Sequence, residues 1–203
     1  MHTRDELFEH LLHESQVLQN DLIRRAFSEI DRADFVTEDY KVEAYEDYAL
    51  PTIKGQTISQ PTTVAFMLEL LDPKEGHQIL DLGTGSAWTT ALLSNIVGPK
   101  GKVEGLEIVP ELVELGQANL KKSGCKNAEI SQAKQGIIGK PGRKFDRILV
   151  SASGEELPND LLKQLKDGGI MVVPVKESIW RIVKSGESYE SKEYPGFIFV
   201  PLR

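Results

Sequence analysis

Two short stretches hold most of the residues able to do chemistry. The first, Gly55-Gln56-Thr57-Ile58-Ser59-Gln60-Pro61, sets two hydroxyls and two amides between a glycine and a proline. The second, Asp81-Leu82-Gly83-Thr84-Gly85-Ser86-Ala87-Trp88, ends an apolar run and leads into an apolar-periodic segment. A strand that turns through small residues into a helix aims backbone N–H groups at whatever polar group sits above the helix N-terminus. Glu107 closes the next apolar run. It lies about 20 residues beyond the turn, where an acid accepts hydrogen bonds from ribose hydroxyls.

Each stretch also has a plainer reading. A G-x-G turn can be only a tight strand–helix connection. A dinucleotide cradle wants a small sixth residue so that helix and sheet pack closely, and that position is Trp88, which argues against NAD. A cradle for adenosylmethionine has no pyrophosphate to hold and needs only the first small residues. Glu107 reads nearly as well as a solvated strand end. Thr57 and Ser59, taken alone, read first as N-caps for a helix starting near Thr62. The four histidines, His2, His10, His13 and His77, lack usable metal-ligand spacing. Cys125 is the single cysteine, which excludes an internal disulfide and a cysteine-built metal site.

The elements that position these residues alternate. Strands are predicted at Gln78–Leu82, Gly101–Glu107, Glu129–Gln132, Phe145–Val150 and Ile170–Val175, with helices at Thr62–Leu71, Trp88–Val97, Pro110–Lys122 and Pro158–Leu165. Pro110 suits a first helical turn and Gly124 a helix end. Asp167-Gly168-Gly169 is expected to close the Pro158 helix. The alternation implies a parallel sheet with helices on both faces. Ile179–Val183 and Phe197–Leu202 are expected to form a terminal antiparallel pair, for a seven-stranded, mostly parallel sheet. Ahead of the core, residues 5–13 and 21–30 have helical spacing, with Asn20-Asp21 as a cap. Residues 31–54 are aromatic and acidic, and read as an ordered loop wrapped over the domain. The expected organisation is one domain: residues 1–54 form an N-terminal helical extension and wrapping loop, and residues 55–203 the core.

Whole-chain properties narrow the class. The chain has 203 residues, a net charge of −7, 40% hydrophobic and 27% charged residues. This is ordinary for a globular domain and lacks the basic stripe of a nucleic-acid binder. The apolar runs are far shorter than the ~18 residues of a membrane span. The N-terminus has no signal-peptide core, so a reducing cytoplasm is the expected home.

Read together, these residues resemble the protein-L-isoaspartate (D-aspartate) O-methyltransferase family, from about Leu7 to Leu202. Tyr45-Glu-Asp47, Leu50-Pro51 and Gly55-Gln-Thr-Ile-Ser-Gln-Pro61 are similar to that family's signature, and Ile79-Leu-Asp-Leu-Gly-Thr-Gly-Ser86 to its methionine-cofactor loop. Phe145-Asp-Arg-Ile148, Gly168-Gly-Ile-Met-Val-Val-Pro-Val175 and Phe199-Val-Pro-Leu202 fit its later pattern. The resemblance implies a Rossmann-like class I methyltransferase fold. It also implies methyl transfer from S-adenosyl-L-methionine to the free carboxylate of isoaspartyl residues, leaving S-adenosyl-L-homocysteine. Ser59 would hold the carboxylate. Thr57, Ile58, Ser59, Asp81, Gly83, Thr84, Gly85, Ser86, Glu107 and Gln135 would bind the cofactor. The implied partners are isoaspartyl-containing peptides and proteins, not nucleic acid or membrane, met by a monomer.

Four positions depart from the pattern. Ala87 replaces a glycine, Lys54 a histidine, and Gln135, in Lys134-Gln135-Gly136, an aspartate that would meet the adenine amino group. Lys176-Glu177-Ser178 stands where glycines are usual. Two other functions remain open at this point. One is a weakened relative that binds a peptide or nucleoside, and the other a methyltransferase of this fold with a different substrate.

Overall fold

The computed structural model describes residues 1–202. A short antiparallel hairpin joins β1 (Leu50–Pro51) to β2 (Thr57–Ile58). The main sheet contains β3 (Gln78–Leu82), β4 (Lys102–Glu107), β5 (Ala128–Gln132), β6 (Phe145–Val150), β7 (Leu165–Val175), β8 (Ser178–Ser185) and β9 (Ser188–Pro195). Its order is β5-β4-β3-β6-β7-β8-β9. Pairings from β5 through β7 are parallel, and β8 and β9 add on antiparallel. The chain leaves β3 toward β4 and β5, then returns to β3's other side with β6. That reversal opens a crevice at the carboxyl ends of the strands, where ligands bind in open α/β sheets.

Helices α1 (Arg4–Glu9), α2 (Asp21–Glu29), α3 (Pro61–Leu71), α4 (Trp88–Val97), α5 (Pro110–Lys122) and α6 (Asn159–Leu162) cover the sheet. Alternate strand residues feed two cores. Ile79, Ile170 and Val172 join Leu11, Phe27, Leu68 and Leu92 on one face, while Leu80, Met171 and Val173 join Leu161 and Leu162 on the other. Strands buried on both faces explain why the sequence shows apolar runs without alternation. Leu7, Leu18 and Ile23 of the N-terminal segment share the first core with Ile79 and Leu93.

Local signals act where the residue chemistry requires. Asn20 accepts a hydrogen bond from the Leu22 N–H at the start of α2. Pro61 and Pro110 occupy first turns. Lys121 and Lys122 sit in the last turn of α5, favourable against the helix dipole.

Three expectations are corrected. The helix read at Pro158–Leu165 is one turn, Asn159–Leu162. Phe145 N–H donates to the Gln164 carbonyl and Leu165 pairs with Phe145, so the sheet takes these residues from the helix. Asp167-Gly168-Gly169 therefore lies inside β7, at a register shift against β6. The helix read at 5–13 is regular only to Glu9 and continues as a wider turn, His10–Glu14, closed by the Ser15 N–H on the His10 carbonyl. The last strand is Ser188–Pro195 and not Phe197–Leu202. An outer edge strand has no core to face, so its polar text carries no apolar signal, and its charges discourage further pairing. The apolar tail instead pairs in parallel with the loop after β6, through Ser153 and Pro201. Phe197 stacks on Phe66 of α3, with ring centroids 5.5 Å apart.

One close approach fixes the strand–loop distance at the crevice. A Cβ on Gly105 of β4 would lie 2.7 Å from Thr84 Cγ2 and 2.9 Å from Ile130 Cγ1. Gly105→Ala is expected to destabilise the protein by about 1–3 kcal/mol, the usual cost of overpacking. Urea denaturation checks this, and an unchanged midpoint would show that the Gly83–Ser86 loop yields freely.

Candidate active site

The crevice holds a cavity of about 640 Å³, a volume that suits a small-molecule ligand. Its floor is the loop between β3 and α4. Gly83 (φ +77) and Gly85 (φ +52) take left-handed conformations that side chains disfavour. The expectation of free loop amides is refined here. Gly83 and Thr84 N–H donate to the Leu106 carbonyl, Ala87 N–H to the Thr84 carbonyl, and Gly85 N–H to Glu107. The first N–H groups of α4 lack intrahelical partners, and their residues, Trp88 and Thr89, line the cavity.

Glu107 is 5% exposed and is gripped by backbone. Its Oε2 accepts from Gly85 N–H at 2.9 Å, and its Oε1 from Ile108 and Val109 N–H at 2.8 and 3.0 Å. The carboxylate is thus fixed in orientation before any ligand arrives. Oε1 is filled by its two N–H donors, and Oε2 keeps one lone-pair site for a ligand hydroxyl. A solvated strand end has none of this.

The β1–β2 hairpin forms the opposite wall. Thr57, Ile58 and Ser59 all line the cavity, and a Cβ on Gly85 would stand 4.0 Å from the Thr57 carbonyl oxygen. Ser59 does not cap α3. The N-cap residue is Gln60, and the cap bonds come from Asp47, whose Oδ1 accepts from Thr62 N–H at 2.8 Å and whose Oδ2 accepts from the Thr62 hydroxyl at 2.7 Å. The capping reading of Ser59 is therefore replaced, and Ser59 lines the cavity with no cap bond to make. Ser151, Ala152 and the tail from Gly196 to Leu202 complete the wall on the β6 side. Ile198, 89% exposed, marks its rim.

Gly83, Thr84, Gly85, Ser86 and Glu107 thus meet Thr57, Ile58 and Ser59 around one cavity. Two candidates fall outside it. Gln135 is exposed on a turn closed by Ile137 N–H on the Lys134 carbonyl; its neighbours Lys134 and Ile137 line the cavity, and Gln135 does not. Asp81 lies wholly buried beneath the loop and touches the site only through structure. Sequence reading named Asp47 in the signature but missed its capping role, and it missed the Ser151–Ala152 corner. The available signal for the corner was β6 ending at Val150, with Ser151 next beside the switch point.

The departures also find places. Ala87 holds φ +74, a left-handed conformation that costs a side-chain-bearing residue about 1–2 kcal/mol; the methyl is not the neutral change its size implies. Lys54 Nζ lies 2.8 Å from Glu111 Oε1 and ties the hairpin to the first turn of α5.

The family described as protein-L-isoaspartate(D-aspartate) O-methyltransferase matches residues 2–203. The chain belongs to that family. The protein-L-isoaspartate O-methyltransferase of Ignicoccus hospitalis is 37% identical over 202 residues, covering 97% of this chain and 95% of that protein. Protein-L-isoaspartate O-methyltransferase 2 of Archaeoglobus fulgidus is 40% identical over 210 residues, covering 98% and 92%. A solved protein-L-isoaspartate O-methyltransferase superposes with TM-score 0.89 at 27% identity over 99% of this chain, which spans 66% of that one. A Plasmodium falciparum structure in complex with S-adenosyl-L-homocysteine shares the fold, with TM-score 0.88 and 24% identity over 100% of this chain and 99% of that one. The seven-stranded sheet is the Rossmann-like fold of S-adenosylmethionine-dependent methyltransferases.

Asp81 generates a pH prediction. Burial pushes its carboxyl up to about 7; the Thr90 hydroxyl, donating to Oδ2 at 2.7 Å, pulls the other way, and the Glu107 charge adds to the rise. Its Oδ1 has no partner. The folded state thus keeps a proton that the unfolded chain releases near 3.8. Stability from this group is complete below about pH 4 and is lost as pH rises through about 7. Relative to Asp81→Asn, the wild type should lose on the order of 3 kcal/mol between pH 4 and pH 7. Parallel urea curves across that range would contradict the buried-acid account.

Proposed function

We propose that this chain transfers a methyl group from S-adenosyl-L-methionine to the free carboxylate of L-isoaspartyl and D-aspartyl residues in damaged proteins. The observation that carries this is the pairing, in one cavity, of a fixed Glu107 beside the glycine loop with an uncommitted Ser59 across from them. Glycine backbone, an oriented acid and a nucleoside-sized volume fit the cofactor. Glu107 would take the ribose hydroxyls, and Gly83, Gly85 and Ser86 would lie against the methionine portion.

When bound, the cofactor supplies an electrophilic methyl on sulfonium: a carboxylate oxygen bonds to the methyl carbon as the carbon–sulfur bond breaks, giving a methyl ester and neutral S-adenosyl-L-homocysteine. The attacking carboxylate is already charged, so no base is needed from the chain. The residues must hold it in line and exclude water. Ser59 donates its hydroxyl proton to the carboxylate as a hydrogen bond and takes none away. The tail from Gly196 to Leu202 closes the cavity on the β6 side. The ester then closes to a succinimide, which opens in part to normal aspartate. The chain's partners on this reading are isoaspartyl-containing peptides and proteins. No helix among the described residues is long and apolar enough to cross a membrane.

Transfer of a labelled methyl to a synthetic isoaspartyl peptide, with the aspartyl peptide as control, tests the reading. Ser59→Ala should lower turnover by at least about 10²-fold, the scale of lost positioning. Its melting temperature should hold, because Asp47 and not Ser59 caps α3. Full turnover in the folded variant removes Ser59 from the chemistry, and no transfer by wild type rejects the assignment.

A further inference from the structure

Arg32 is a buried cation that the chemistry above leaves without a task. It is 2% exposed and begins a short 3-10 turn, Arg32–Asp34, capped by the Asp31 side chain on Ala33 N–H. Its guanidinium meets carbonyls. Nη1 donates to Ala44 O at 2.9 Å and Glu46 O at 3.2 Å, and Nη2 to Tyr48 O and Ser59 O, both at 3.0 Å. The group also lies over Trp88, 5.4 Å from the ring centroid. Burial pushes its pKa down to about 10, against the pull of the Asp47 charge, so it stays charged at neutral pH.

Burying a guanidinium is expensive unless its donors are satisfied; here both Nη atoms are bonded, while Nε has no partner among the described residues. A plain loop staple would manage with a neutral side chain. What this arrangement provides is geometry. A single nitrogen, Nη2, grips two carbonyls whose residues, Tyr48 and Ser59, both line the cavity. Holding the Ser59 carbonyl restrains the peptide plane after Ser59, and so limits where the Cα–Cβ bond that carries the hydroxyl can point. Asp47 fixes the next residues independently, accepting from Gln60 Nε2 at 3.1 Å as well as from Thr62. Most of the cofactor side of the cavity is built by other elements, β3, β4 and the Gly83–Ser86 loop; Arg32 meets it only through the Trp88 ring at the start of α4.

We propose that Arg32 is a positioning residue for methyl transfer: by clamping the Tyr48 and Ser59 carbonyls with one nitrogen, it aims the Ser59 hydroxyl at the substrate carboxylate. This rests on the role given to Ser59 above. Its consequence is selective. Loss of the clamp should lower turnover while leaving the cofactor cradle intact. Lysine in its place keeps the charge but concentrates it on one tetrahedral nitrogen, which cannot reproduce a planar fork.

The test is a double-mutant cycle in the full chain with Arg32→Lys, Ser59→Ala and the pair. Arg32→Lys should lower kcat on the isoaspartyl peptide by roughly 10–100-fold. Its affinity for S-adenosyl-L-homocysteine should stay within about threefold of wild type, and the same change in the Ser59→Ala background should cost less than about threefold. An equal loss in both backgrounds, or a loss of cofactor affinity in step with kcat, overturns the proposal and leaves Arg32 a structural staple. Nitrogen NMR of the Arg32 guanidinium in the wild type guards against a variant that fails to fold. The Nη signals should move when isoaspartyl peptide joins S-adenosyl-L-homocysteine, and not with S-adenosyl-L-homocysteine alone; no movement on adding the peptide refutes the clamp. If the wild type transfers no methyl, the reading of the site fails and this inference falls with it. If wild type transfers and the cycle is additive, only Arg32's role fails.

Discussion

A carboxylate buried at the end of β4 and bonded to three backbone N–H groups gives the cavity its shape. Glu107 draws Gly85 N–H from one side and Ile108 and Val109 N–H from the other. It thereby joins the glycine loop after β3 to the start of the connection into α5. Without an acceptor there, three amides facing a low-dielectric crevice would each lose a hydrogen bond, at about 1–3 kcal/mol apiece. The amides of Gly83, Thr84 and Ala87 are already engaged, by Leu106 and Thr84 carbonyls. The cradle therefore offers a ligand shape, an oriented lone pair and few free donors in place of a full ring of them. That suits a neutral ribose and a zwitterionic methionine better than a pyrophosphate.

The second wall obeys the same rule of fixing backbone first. Asp47 and Arg32, both from the wrapping segment, hold the Ser59–Thr62 turn by its N–H and carbonyl groups. The serine hydroxyl is thereby released from capping. A reaction whose nucleophile is already an anion gains little from a base and much from alignment, and the molecule invests its buried polar groups accordingly. Glu104 shows the contrast: it too is buried, but Lys140 and Arg143 neutralise it, each at 2.6 Å, and it does not line the cavity.

The sequence made the central sheet legible because β3 and β6 are buried on both faces and appear as short apolar runs, interrupted only at Asp81 and at Asp146-Arg147. Pro110, Asn20 and the Lys121-Lys122 pair marked helix ends through local chemistry that tertiary structure did not override. Where the text misled, tertiary pairing won. Leu165 has good helical neighbours but a better partner in Phe145. Phe199, Val200 and Leu202 look like a strand, yet they serve as a cavity wall, while the polar Ser188–Pro195 takes the sheet edge. At the site, spacing pointed to Glu107 and the glycine loop but left Glu107 nearly even with a solvated strand end. Gln135 could not be placed, because a turn of small and polar residues carries no signal for which side chain points inward. Asp47's capping role was hidden because it acts across 15 residues of chain.

The central claim is that Glu107, preset by three amides, accepts a hydrogen bond from the ribose diol of an adenosyl ligand. Isothermal titration of the unmodified protein with S-adenosyl-L-homocysteine, beside its analogue lacking both ribose hydroxyls, tests this most directly. The account predicts that the analogue binds roughly 10–100-fold more weakly, the loss expected for hydrogen bonds to a charged group. Equal affinities for the two ligands would contradict it.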